Sequence, residues 1–122
     1  ASNSYYTTTR GEGFGLPIAE FINHSKPVIV PNIGGHLDFI DKNNNFLIKS
    51  SMEPVLGYHD HLWSQPEIDW VEVSINSARE QLRSAYRSKK LKLMGKNSRN
   101  YMKDFLNSKK SKKLFMEVFY GK

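Results

Sequence analysis

Cysteine is absent from all 122 residues, which excludes disulfides, thiolate nucleophiles and cysteine-ligated metal sites. No run approaches the roughly 18–20 apolar residues that a membrane-spanning helix needs, and Ala1-Ser2-Asn3-Ser4 opens no signal-peptide pattern. The expectation is a cytoplasmic chain whose membrane contact, if any, is peripheral. Internal repeats and long linkers are also missing. Positive charge is scarce at the start, where only Arg10, Lys26, Lys42 and Lys49 precede residue 60. Yet 18 Lys and Arg stand against 12 acids, a net charge of +6. The excess therefore belongs to the C-terminal third.

What organises the rest is Arg10-Gly11-Glu12-Gly13-Phe14-Gly15-Leu16-Pro17-Ile18-Ala19-Glu20. Pro17 lacks an N–H and has φ preset near the helical value, so it suits the first turn of a helix. A helix is expected from near Leu16 or Pro17 to about His24. The glycines at 11, 13 and 15 let the backbone turn sharply before it and come close to a ligand. Free N–H groups and the positive end of the helix dipole then suit the space ahead to a phosphate. Glu20 falls about one turn into the helix and Glu12 in the loop, and either carboxylate can accept hydrogen bonds from the hydroxyls of a sugar or ribose. On residue types alone, dipole complementation by Glu20 and simple solvation of Glu12 explain them equally well.

Taken in order, Tyr5-Tyr6-Thr7-Thr8-Thr9 is aromatic and β-branched, which predicts a strand and completes a strand, glycine loop and helix. Ile18, Ala19, Phe21 and Ile22 are available for burial on that helix. Pro27-Val28-Ile29-Val30 is a short apolar run of the kind that forms a parallel strand covered on both faces. A right-handed crossover is expected between the two strands. Asn32-Ile33-Gly34-Gly35 forms a second glycine loop at the carboxyl end of that strand, the edge where open α/β sheets bind ligands. A brief helical turn over residues 36–40, a turn over Asp41–Asn45 and a strand at Phe46-Leu47-Ile48 follow. His36 and Asp38 are read as a hydrogen-bonded loop pair.

Periodicity vanishes from Ser50 to Pro66, which reads as a surface or inter-domain loop. His59, Asp60 and His61 lie there, but a metal site is not expected, because a third or fourth ligand at suitable spacing is missing. Ile68, Val71, Ile75, Ala78 and Leu82 recur at three- and four-residue steps, predicting a helix from about Ile68 to Tyr86. Leu91, Met94, Tyr101, Phe105 and Leu106 mark a second helix, and Leu114, Phe115, Val118 and Phe119 a third.

The stretch from Glu12 to Glu20, with Gly-Phe-Gly-Leu-Pro inside, resembles the signature of the family 4 retaining glycosyltransferases of the GT-B fold. The similarity continues through Lys26-Pro27-Val28-Ile29-Val30 and Gly34-Gly35-His36-Leu37-Asp38-Phe39-Ile40, then more loosely into Asn43–Ile48 and Trp63-Ser64-Gln65-Pro66. It implies a Rossmann-like parallel sheet with flanking helices and a helical C-terminal third, half of a GT-B fold. The α/β part would span about 1–66 and the helices about 67–120. The implied activity is transfer of a sugar, with retention, from a nucleotide-diphosphate sugar to a sugar or glycolipid acceptor. Carried over by position, Glu20 would hold the ribose hydroxyls, Glu12 would contact the transferred sugar as the catalytic residue, and Gly13, Phe14, Gly15 and Leu16 would meet the distal phosphate.

No metal and no cofactor is implied beyond the donor itself. Asn23-His24-Ser25 departs from the family pattern, which has a small residue and Gly before Lys-Pro; this bears on the helix cap and not on the site, since Asn can also take the left-handed conformation a cap requires. One domain of chain falls short of the two that such an enzyme needs, and from the start at Ala1 a fragment, a processed product or a recombinant piece is expected. An N-terminal partner domain carrying further diphosphate ligands is therefore expected, and the chain alone should be inactive. The alternatives are a non-catalytic nucleotide-sugar-binding module or a related GT-B epimerase or synthase.

Lys89, Lys90, Lys92, Lys96, Arg99 and Lys103, then Lys109, Lys110, Lys112 and Lys113, form a basic run. It is read first as the solvated outer faces of two helices and second as a peripheral membrane surface. Nucleic acid is not expected, since Tyr101 and Phe105 sit at helical spacing and should point into the core.

Overall fold

The computed structural model describes residues 2–55 and 68–121. Tyr5–Tyr6 (β1), Val28–Pro31 (β2) and Phe46–Ile48 (β3) form a parallel sheet in that order, with Tyr5 opposite Val28 and Ile29 opposite Phe46. Alternation along β2 sends its side chains to two cores. Val28 and Val30 meet Ile18 and Ile22 of α1 (Leu16–Asn23), with Phe39, Ile40 and Met102 of α3 (Leu91–Phe105). Ile29, with Phe46 and Ile48, meets Ala78 and Ala85 of α2 (Ile75–Arg87). Every residue of β2 is consequently buried, as a parallel strand between two helical layers must be. The arrangement is Rossmann-like.

β1 is shorter than the predicted strand. After the Thr7 N–H donates to the Ile29 carbonyl at 3.1 Å, the Thr9 hydroxyl turns back to the Gly11 carbonyl at 3.1 Å and the ladder ends. α1 also ends differently from expectation. His24 caps it, and the left-handed residue is Ser25, with φ 56°. The Ser25 N–H donates to Ile22 O at 2.9 Å and the Lys26 N–H to Phe21 O at 3.1 Å, the two bonds of a Schellman closure. Ser25 thus takes, without being glycine, the conformation usually left to glycine.

The region beyond β3 corrects two expectations. Ser50–Pro54 is a strand (β4), and Asp69–Val73, expected as helix, is its antiparallel partner (β5), pairing Ser50 with Val73 and Pro54 with Asp69. Trp70, Val71 and Val73 are β-formers, and the paired ladder outweighs the three- and four-residue spacing. α2 starts only at Ile75, where the Ser74 hydroxyl accepts from the Ser77 N–H. Its buried side is Ser77, Ala78 and Ala85, whereas Ile75 is 72% exposed.

The buried stripe of α3 is Gly95, Ser98 and Met102, not the large apolar residues that mark it in the sequence. Tyr101 and Phe105, expected in the core, are about half exposed. Ser108–Tyr120 forms α4, capped by the Asn107 side chain at one end and left-handed Gly121 at the other. No described helix is long and apolar enough to cross a membrane.

Candidate functional site

Two loops leave the carboxyl ends of β1 and β2, residues 7–15 and 32–35, and they touch backbone to backbone. A Cβ added at Gly35 would fall 2.1 Å from the Gly13 carbonyl oxygen and 3.4 Å from that of Glu12. Only hydrogen at position 35 allows that approach. The first loop ends at Gly15, the N-cap of α1, in the left-handed region at φ 83° and ψ 55° with no side-chain cap. The first helical hydrogen bond runs from Ala19 N–H to Gly15 O at 3.0 Å. Leu16 and Ile18 therefore begin the helix with N–H groups that have no acceptor within it, and Pro17 contributes none. These two donors and the dipole give the loop its positive end.

Both flanks of the first loop are anchored. The Phe14 ring packs 4.7 Å from that of buried Phe39, which lies 6.5 Å from Phe105 of α3. On the other flank the Arg10 carbonyl accepts from the Val71 N–H at 2.9 Å. The Arg10 guanidinium lies 4.2 Å over the Trp70 ring and 2.9 Å from Glu72. The β4–β5 hairpin so holds the start of the glycine loop. Both members of the ion pair are about half exposed, so Arg10→Ala is expected to cost at most about 1 kcal/mol of stability. Its larger effect should be on loop order, read as a fall in the heteronuclear NOE of Gly11 and Gly13. An unchanged NOE would mean that the backbone bond to Val71 and the Gly35 contact hold the loop unaided.

Glu12, Gly13, Phe14, Gly15 and Leu16 are gathered in this arrangement. Glu12 is half-buried, Gly13 exposed, Phe14 41% exposed and Leu16 67% exposed. Glu20 is exposed on α1 and lines a small cavity with Phe21, His24 and Lys26, toward the C-terminal end of the helix. Glu12 does not line that cavity.

The expected His36–Asp38 pair does not form. His36 is fully buried and its Nε2–H donates to the Pro31 carbonyl at 2.8 Å, while Nδ1 is buried without a partner and Asp38 is exposed. Residues Gly35–Asp38 wind into a short 3-10 turn that draws the His36 ring inward under the loops. Gly34, at φ 136°, lies against that ring, and a Cβ there would meet Nδ1 at 2.8 Å.

Asn45 reads in the sequence as a turn residue, yet it links the sheet to α3. Its side chain accepts from the Val28 N–H at 2.9 Å and donates to the Asp41 carbonyl at 2.9 Å and to the Ser98 hydroxyl at 2.7 Å. A polar residue just before an apolar strand was the available signal. His59, Asp60 and His61 lie outside the described residues, among which no group of three or more His, Asp or Glu could hold a metal ion. The sequence matches no protein-family model and no curated protein.

Proposed function

We propose that this chain is the donor-binding part of a retaining glycosyltransferase of the GT-B fold. The observation that supports this reading most is the pair of touching glycine loops beyond the parallel strands, with the uncapped start of α1 between them. That edge of an open α/β sheet is where phosphate-bearing ligands bind. In the proposed roles, the Leu16 and Ile18 amides take the distal phosphate of a nucleotide-diphosphate sugar. Charge that develops on the leaving diphosphate then meets donors already in place, which is electrostatic preorganisation. Glu20 holds the ribose hydroxyls and Glu12 faces the transferred sugar. An N-terminal partner domain completes the diphosphate site and carries most of the acceptor site, so turnover is expected only when both parts are present.

Amide NMR titration with uridine, guanosine and adenosine diphosphates tests the site. Shifts should cluster at Gly13–Leu16 and Glu20, and Glu20→Ala should raise Kd by about tenfold through loss of hydrogen bonds to a charged group. Glu12→Ala should leave diphosphate affinity unchanged, since it faces only the sugar. The absence of shifts at these residues with all three nucleotides at millimolar concentration would reject the assignment.

A further inference from the structure

We propose that the cleft where the end of α1 meets the α2–α3 junction is a second anion site, one that takes a phosphate monoester. This assignment does not rest on the donor reading, because the cleft lies at the far end of α1 from Gly15, about 12 Å along an eight-residue helix. The cavity has a volume of about 380 Å³. His24 and Lys26 face it from the α1 closure, Ser88, Lys89 and Lys92 from the α2–α3 junction, and no carboxylate lines it. Glu20, which the donor reading places on the ribose, borders a different, smaller cavity that shares His24 and Lys26 with this one.

The segments that carry these lysines meet at one cleft because the chain is pinned on both sides. A Cβ at Gly95 would fall 1.9 Å from the Ser25 carbonyl oxygen, so α3 rests directly on the turn that carries Lys26. The Lys26 N–H is itself tied to Phe21 O at 3.1 Å. Lys92 stands in the first turn of α3, which has no side-chain cap, and the Ser88 hydroxyl accepts from the Lys90 N–H at 3.2 Å. Lys110 pairs with Asp104 and Lys113 with Glu117, whereas most lysines of the chain, Lys26, Lys89 and Lys92 of the cleft included, carry no acid partner among the described residues. Three lysines around one cleft that no carboxylate lines are like charges, and an anion there offsets their mutual repulsion. A compact dianion with several acceptor oxygens matches that need better than a carboxylate does.

The test is titration of the full chain with inorganic phosphate at constant ionic strength, followed by amide NMR, and co-sedimentation with phosphatidylcholine vesicles doped with phosphatidic acid. Phosphate should move the amides of Ser25, Lys26 and Lys89–Lys92. The Lys89→Ala/Lys92→Ala double variant should raise the phosphate Kd by about tenfold. A Lys103→Ala/Lys109→Ala control, with equal loss of charge outside the cleft, should leave it unchanged. Vesicle binding that the first pair abolishes and the control retains identifies a lipid headgroup as the source of the phosphate. Phosphate binding without vesicle binding identifies a soluble phosphate ester. Absence of phosphate shifts at the cleft, or equal loss in both variants, overturns the site whatever the vesicles do.

Discussion

Gly95→Ala is expected to lower the stability of the chain by about 2 kcal/mol and the melting temperature by roughly 5–10 °C. The sign is the informative part. In an exposed helix interior the same change gains about 1 kcal/mol, since alanine is the better helix former. At position 95 the new methyl would lie 1.9 Å from the Ser25 carbonyl oxygen and 2.5 Å from its carbon, both backbone atoms with no rotamer by which to withdraw. Either α3 lifts from the α1 closure or the closure opens. Lifting α3 also stretches the 2.7 Å bond between Ser98 and Asn45, and Asn45 satisfies the Val28 N–H of the central strand. Urea unfolding would read the loss directly. A variant as stable as the parent, or more so, would show that α3 does not pack against Ser25 as described.

Gly35→Ala should act on the candidate site more than on the fold. Its Cβ would stand 2.1 Å from the Gly13 carbonyl oxygen, so the two loops must part by about 1 Å to restore an ordinary contact. A displacement of that size at a positioning loop can cost on the order of 100-fold in function. Nucleotide-diphosphate affinity should fall by at least about tenfold, with a stability loss of about 1–2 kcal/mol. Gly13→Ala is the matched control for packing, because a Cβ there meets nothing within 4 Å. It should leave stability within about 0.5 kcal/mol. If Gly35→Ala binds diphosphates as the parent does, the contact between the loops has no part in the site.

Residues whose role depends on their neighbours in sequence were legible. Leu16-Pro17 did open a helix, and its length to Asn23 was close to the expected one, because Pro17 and the preceding glycines act locally. Val28-Ile29-Val30 read as a doubly covered strand, and all four residues of β2 are buried. The second glycine loop was expected beside the first, and the contact of Gly35 with Gly13 places it there.

Residues whose role depends on what arrives from far along the chain are not legible in the sequence. Val71 and Ile75 share a helical spacing, yet one lies in β5 and the other is exposed at the start of α2. The hairpin partner that pulls Asp69–Val73 into a ladder lies about twenty residues away in sequence, and periodicity cannot see it. Tyr101 and Phe105 look like core residues, but the core-facing side of α3 holds Gly95, Ser98 and Met102, because that helix must approach a backbone turn and an asparagine as well as the apolar cluster that takes Met102.

The amino-acid sequence by itself determined the strand, glycine loop and helix at the start, the apolar central strand and the cation-rich C-terminal third. Each follows from backbone preferences or composition within a few residues. Only the tertiary structure decided that Arg10 is held by the β4–β5 hairpin, that His36 turns inward beneath the loops, and that Lys26 faces Lys89 and Lys92 across one cleft. These depend on close approaches between distant segments, which sterics at Gly35 and Gly95 permit and which no local preference encodes.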